Sequence, residues 1–144
     1  MIDQIAKAGG LFAVFSFVHF LIDWVFQTHY EAMNKHNHPW IRAGHCFVYT
    51  YPFIPLLFWL GVNNTQIIIC TLVLFLSHFV EDTYIPVYLW ARYIRRVPSI
   101  RKGPNHRKEF EIFISGNLGK ILMIAIDQII HLTFLWILVI IVLA

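Results

Sequence analysis

The chain has 144 residues, 58% of them hydrophobic and only 13% charged, with a formal net charge of +3 and a mean hydropathy of +0.64. Soluble domains carry about 25% charged residues, so this composition excludes an ordinary water-soluble globule and points to one all-α integral membrane domain over residues 1–144. No nucleic-acid partner is expected.

Four apolar windows are long enough to cross about 30 Å of hydrocarbon as helices: residues 8–26, 43–62, 66–88 and 120–144. A four-helix bundle is therefore predicted. The first window lacks a basic segment before its apolar core and a small-residue cleavage site after it, so it is expected to be a retained helix rather than a secretory signal. It holds His19 and Asp23 four residues apart, just over one helical turn, with Gln27 one turn further on. The following link carries Lys35 and Arg42, and its histidines His29, His36 and His38 are expected to be solvated and inert.

The second window opens with His45 and should be kinked by Pro52 and Pro55. Cys46 and Cys70 fall near opposite ends of the hairpin formed by the second and third windows, so both are read as buried free thiols. The third window contains His78 and Asp82, again four residues apart, with Glu81 beside the aspartate and Pro86 bending or ending the helix near its exit. The basic link 91–119 then carries Arg92, Arg95, Arg96, Arg101, Lys102, Arg107 and Lys108. Pro98, Gly103-Pro104 and Gly116-Asn117 prevent it from forming one helix, although residues 107–115 can form a short interfacial one. His106 is expected to be solvated. Such a basic run attracts anionic lipid head groups, and a plain orientation anchor explains the same residues. The fourth window contributes Asp127, Gln128 and His131.

The two basic links must lie on one side of a four-helix protein, so they are placed in the cytoplasm and both termini outside. In the two helices running toward the cytoplasm the aspartate follows the histidine. In the fourth helix, which runs away, the order is reversed. All three aspartates therefore sit at the shallower level and all three histidines deeper, near the cytoplasmic face, with His45 entering the same zone.

Ionisable groups inside a span are costly and default to a functional reading. The first window has no Lys or Arg after Lys7, the third none before Arg92, and the fourth only Lys120 at its start. The carboxylates therefore have no basic partner at their own depth, and protons or a metal ion must balance them. His19, Asp23, His45, His78, Asp82, Asp127 and His131 form the expected ligand set, a mixed nitrogen and oxygen shell suited to Zn, Mn or Fe. Seven ligands would suit two ions, or one with carboxylates orienting the imidazoles. Water activated there could attack an ester or phosphoester of a lipid-linked or membrane-delivered substrate. In that reading Asp23 or Asp82 acts as bridging ligand or general base, Gln27 or Gln128 positions the substrate, and Arg95 and Arg96 hold its head group.

The string HFLIDWVFQT at residues 19–28, the histidine opening the second helix, SHFVED in the third and DQIIH in the fourth together resemble a family of small bacterial and phage membrane proteins. That family is known only as domain of unknown function 3307. The likeness runs from about Val14 to about Leu135. It implies a four-helix protein of the bacterial cytoplasmic membrane with shared polar positions, and no established activity. The basic segment after the third helix looks longer than the family's pattern. A looser likeness to membrane-bound metal-dependent hydrolases is an analogy of His and Asp placement. Three other readings stay open: a non-enzymatic membrane factor, such as a phage protein, whose cluster only fixes helix packing; a proton or cation transporter; and haem ligation, which the neighbouring aspartates disfavour. A homo-oligomer is also compatible with the sequence.

Overall fold

A computed structural model describes residues 2–144. Among them the chain is all helical, with no strand. The elements in order are α1 (Ile2–Phe20), continued by a wider π-helical turn (Leu21–Phe26), α2 (His29–Asn34), α3 (Pro39–Thr50), α4 (Phe53–Trp59), α5 (Asn64–Glu81) and α6 (Ile85–Leu89), which runs into a second π turn (Trp90–Ile94). Then come α7 (Pro98–Lys102), α8 (His106–Ser115) and α9 (Asn117–Leu143).

Three helical segments are long and apolar enough to cross a membrane: Ile2–Phe26, Asn64–Glu81 and Asn117–Leu143. The predicted second span is instead two pieces, α3 and α4, separated at Tyr51-Pro52. Prolines supply the cause, because Pro52 and Pro55 have no N–H for the carbonyls four residues earlier and their rings crowd them. The predicted third span also ends early. Pro86 in a continuous helix would collide with the Asp82 carbonyl, and α5 stops at Glu81, with Asp82 as its cap. Tyr84 then turns the chain in the left-handed conformation (φ 60°) where glycine is the ordinary choice.

α1 and α5 both pack against α9, and α3 packs against α5. Phe15, Tyr49, Phe53, Leu57, Leu74, Leu135 and Leu138 fill the space between them. The opposite faces of these helices expose Phe17, Leu72, Leu76, Ile129 and Ile140, where a helix facing water would be polar. Those faces suit hydrocarbon. A smaller core of Val87, Ala91, Ile100 and Phe110 holds α6 to α8 together. α8 folds back on α9 at Gly119, where a Cβ would strike the Phe113 carbonyl. The polar residues gather where the end of α1, the start of α3, the end of α5 and the middle of α9 come together.

Candidate metal centre

Asp23 from the π turn, His45 from α3, and His78 and Asp82 from the last turn and cap of α5 converge from three elements, and each is at least nine-tenths buried. His45 Nε2 stands at the middle of the group. It lies 3.1 Å from Asp23 Oδ1, 3.0 Å from His78 Nε2 and 3.0 Å from Gln27 Nε2. Asp82 Oδ2 is 3.4 Å from His78 Nε2 and 3.7 Å from His45 Nε2. A single imidazole nitrogen either donates or accepts one hydrogen bond, so this crowding exceeds what hydrogen bonding alone can use. The Asp82 Oδ2 atom is buried without a hydrogen-bond partner.

Packing fixes these rings. His78 stacks on Tyr49 with centroids 3.7 Å apart and planes 3° from parallel, and His131 meets its ring edge-on at 4.7 Å. The π-helical turn Leu21–Phe26 places Asp23. Widening the helix there changes the angular offset of residues four apart, so His19 and Asp23 do not share a target as uniform α-helical spacing predicts. His19 points instead to the Tyr49 hydroxyl (3.1 Å) and Gln128 Oε1 (3.0 Å). Both its nitrogens are engaged outside the acidic group.

The expectation that the carboxylates lack a basic partner is wrong. Lys35 follows α2 and inserts its ammonium between them, with Nζ 2.9 Å from Asp82 Oδ1, 3.1 Å from Asp23 Oδ1 and 3.2 Å from His45 Nε2. Burial works against its charge, but Asp82 and Asp23 outweigh that effect and hold the Lys35 pKa above the ordinary lysine value. Two features set the lysine in place. Thr28 and Glu31 form a reciprocal capping box at the start of α2. Arg42, lying over the Phe79 ring, donates to the Lys35 and His36 carbonyls at 3.2 and 3.1 Å. Sequence spacing gave no signal for Lys35, since its register belongs to a short polar link rather than to a periodic helix face.

A second group lies alongside. Glu81 Oε2 is 3.1 Å from His131 Nε2, off the angle of a hydrogen bond, and both side chains are buried. With His78 they form another set of potential ligand atoms within 4.8 Å of one another. Cys46, His78 and Asp82 form a third such set. Asp127 stands apart: its carboxylate is 3.8 Å from His131 Nδ1 and 20% exposed, while its backbone carbonyl accepts from that nitrogen at 2.8 Å.

A cavity of about 350 Å³ opens over the first group, with Asp23, Gln27, Lys35, Asp82, Asp127 and Gln128 on its wall. Gln27 and Gln128 both border it. Arg95 and Arg96 do not. They sit exposed just beyond the second π turn and line none of the described cavities. Two link histidines expected to be solvated are half-buried instead: His36 stacks on Tyr84 at 4.9 Å and His106 bonds the Tyr88 hydroxyl at 2.8 Å.

The sequence profile described as protein of unknown function (DUF3307) matches residues 11–144. No curated protein and no solved structure matches the chain.

Proposed function

The chain belongs to the DUF3307 family, which has no assigned function, and we propose that this member is an integral membrane bundle that binds a divalent metal ion and serves as a metal-dependent hydrolase. Its substrate would be lipid-linked or delivered through the membrane. In this reading the split α3–α4 segment completes a fourth crossing, and the basic links place the helix ends that carry the site at the cytoplasmic face, with both termini opposite.

The observation that carries the proposal is the buried meeting of Asp23, His45 and His78, with Asp82 against the two histidines. Three elements of local chemistry support a cation there: mixed carboxylate and imidazole donors suited to Zn, Mn or Fe, a partnerless Asp82 Oδ2, and two carboxylates facing one ammonium. Lys35 must give up its seat for an ion to enter. Glu81 and His131 offer a second, adjoining seat. A divalent ion in such a set supplies Lewis acidity and acidifies water to a pKa of about 7. With the ion held there, Asp23 or Asp82 would serve as ligand or general base, Gln27 and Gln128 would orient the substrate, and Lys35, already on the cavity wall, would offer its positive charge to the substrate.

Metal content tests this directly. Protein purified in detergent without added metal should contain Zn, Mn or Fe in a fixed ratio to chain, and Asp23→Asn and His78→Ala should abolish it while helicity persists. A folded, metal-free protein that takes up none of these ions would overturn the proposal. One observation favours a second reading, that of a non-enzymatic membrane factor: the Asp23–Lys35–Asp82 bridge already closes the site and ties the 27–38 link to the helix ends. That outcome would accompany the metal-free result.

A further inference from the structure

A second cavity, about 330 Å³, lies beside the first, between the 36–37 and 83–88 segments and α8. Two short stretches connect the cavities. Lys35 points into the inner one while its neighbour His36 lines the outer one, and Tyr84 is on the wall of both. Gly119 allows the close approach that holds α8 over this cavity, and Tyr84 keeps a left-handed backbone on its wall, a strain of about 1–3 kcal/mol for a residue other than glycine.

Several groups on the cavity wall are unspent, although the Thr83 hydroxyl is engaged by Val80 and Ile85. Arg107 forms no ion pair among the described residues, even with Glu111 one turn along α8 on the same wall. His36 stacks on Tyr84 at the cavity wall with its Nδ1 buried beneath the surface and unpartnered, which leaves Nε2 as the nitrogen within reach of the cavity. Tyr88 is different, being oriented by His106 and by Arg92. One guanidinium with neutral N–H and O–H donors from His36, Asn37 and Tyr84 matches the needs of a phosphate, which takes a charged fork and several single bonds. The apolar floor of Ile85, Phe110 and Ile114 suits the glycerol or alkyl portion attached to it.

We propose that this outer cavity is a phosphate-binding subsite for the head group of a membrane amphiphile, held by Arg107 and His36, whose remainder reaches the inner cavity past Tyr84. The assignment names the substrate class for the hydrolase reading and rests on it for the chemical step, but not for binding. It also replaces Arg95 and Arg96 with Arg107 as the head-group contact from the basic link.

Titration of detergent-solubilised protein with dioctanoyl phosphatidate and, separately, with inorganic phosphate tests it, using chelator-treated protein so that metal content is irrelevant. Phosphatidate should bind, Arg107→Gln and His36→Gln should each weaken it at least ten-fold, and Arg95→Gln should change nothing. Glu111→Gln should tighten it by removing a facing negative charge. Strong phosphatidate but weak phosphate binding identifies a lipid source, whereas equal binding by phosphate identifies a soluble phosphoester. No binding of either probe, or equal losses in Arg107→Gln and Arg95→Gln, overturns the subsite whatever the metal content proves to be. Conversely, a metal-free protein that still binds phosphatidate through Arg107 keeps the subsite and loses the hydrolase.

Discussion

Replacing Lys35 with methionine keeps most of the side chain's volume and removes only its charge, leaving Asp23 and Asp82 facing each other without a cation. At 2.9 and 3.1 Å, each ammonium–carboxylate contact has about 5 kcal/mol of gross attraction at an effective dielectric constant of about 20. Desolvation of three nearly buried charges offsets most of it, and removing one partner from such a group costs about 3–5 kcal/mol because the others remain buried and uncompensated. Metal-free Lys35→Met protein should lose stability by that amount in denaturant unfolding in detergent, followed by the fluorescence of its five tryptophans. Excess Zn or Mn should then restore it, by about 2.7 kcal/mol at 100 times the dissociation constant. The same variant should bind the ion at least ten-fold more tightly than wild type, since no ammonium competes for the seat. Unfolding within about 0.5 kcal/mol of wild type in the absence of metal, the range of ordinary surface substitutions, would mean that Lys35 is not the counter-charge of this cluster.

His19→Ala should cost about 1–3 kcal/mol by stranding the Tyr49 hydroxyl and the Gln128 carbonyl, yet leave metal content unchanged when measured by elemental analysis. The Glu31 carboxyl meets a burial cost that raises its pKa, but the Thr28 hydroxyl and N–H donate to it and hold it below the ordinary value of 4.5. Its contribution to α2 is therefore present above that value and lost as pH falls beneath it. Protection of the amides at residues 31–34, measured against their intrinsic exchange rates, should fall there, and Thr28→Ala, a cap loss of about 1 kcal/mol, should give the lower protection at neutral pH as well. Constant protection across that range would exclude a working cap. Cys46 and Cys70, both fully buried, should resist maleimide in detergent and react after denaturation; rapid labelling of either in the folded protein would contradict the packing of α3 on α5.

Long-period features were legible in the sequence. The apolar windows give the three long helices, the prolines give the breaks at Tyr51-Pro52 and near Asp82, and the breakers around residue 103 isolate α8. Local spacing predicted His78 and Asp82 together because α5 is regular up to its last turn. It failed for His19 and Asp23 because a π turn intervenes, a feature with no distinct signature in LIDWVF. It also failed for Asp127, whose backbone rather than carboxylate engages His131 most closely. Lys35 was out of reach for a different reason: the depth of a side chain on a short link depends on how far the link folds back, and that is fixed by tertiary contacts such as Arg42 with the Lys35 and His36 carbonyls. The same dependence hides His36 and Arg107, whose shared cavity exists only once α8 has docked.

Anomalous diffraction from crystals grown with Zn or Mn, recorded at the metal's absorption edge, would decide whether the cluster holds a cation. The expected map has a peak within about 2.0–2.3 Å of imidazole nitrogen and carboxylate oxygen atoms of Asp23, His45, His78 and Asp82, with the Lys35 ammonium moved out toward the cavity. A featureless map at saturating metal, with Lys35 still bridging the two aspartates, would make the lysine the permanent occupant and the site a structural ion-pair cluster.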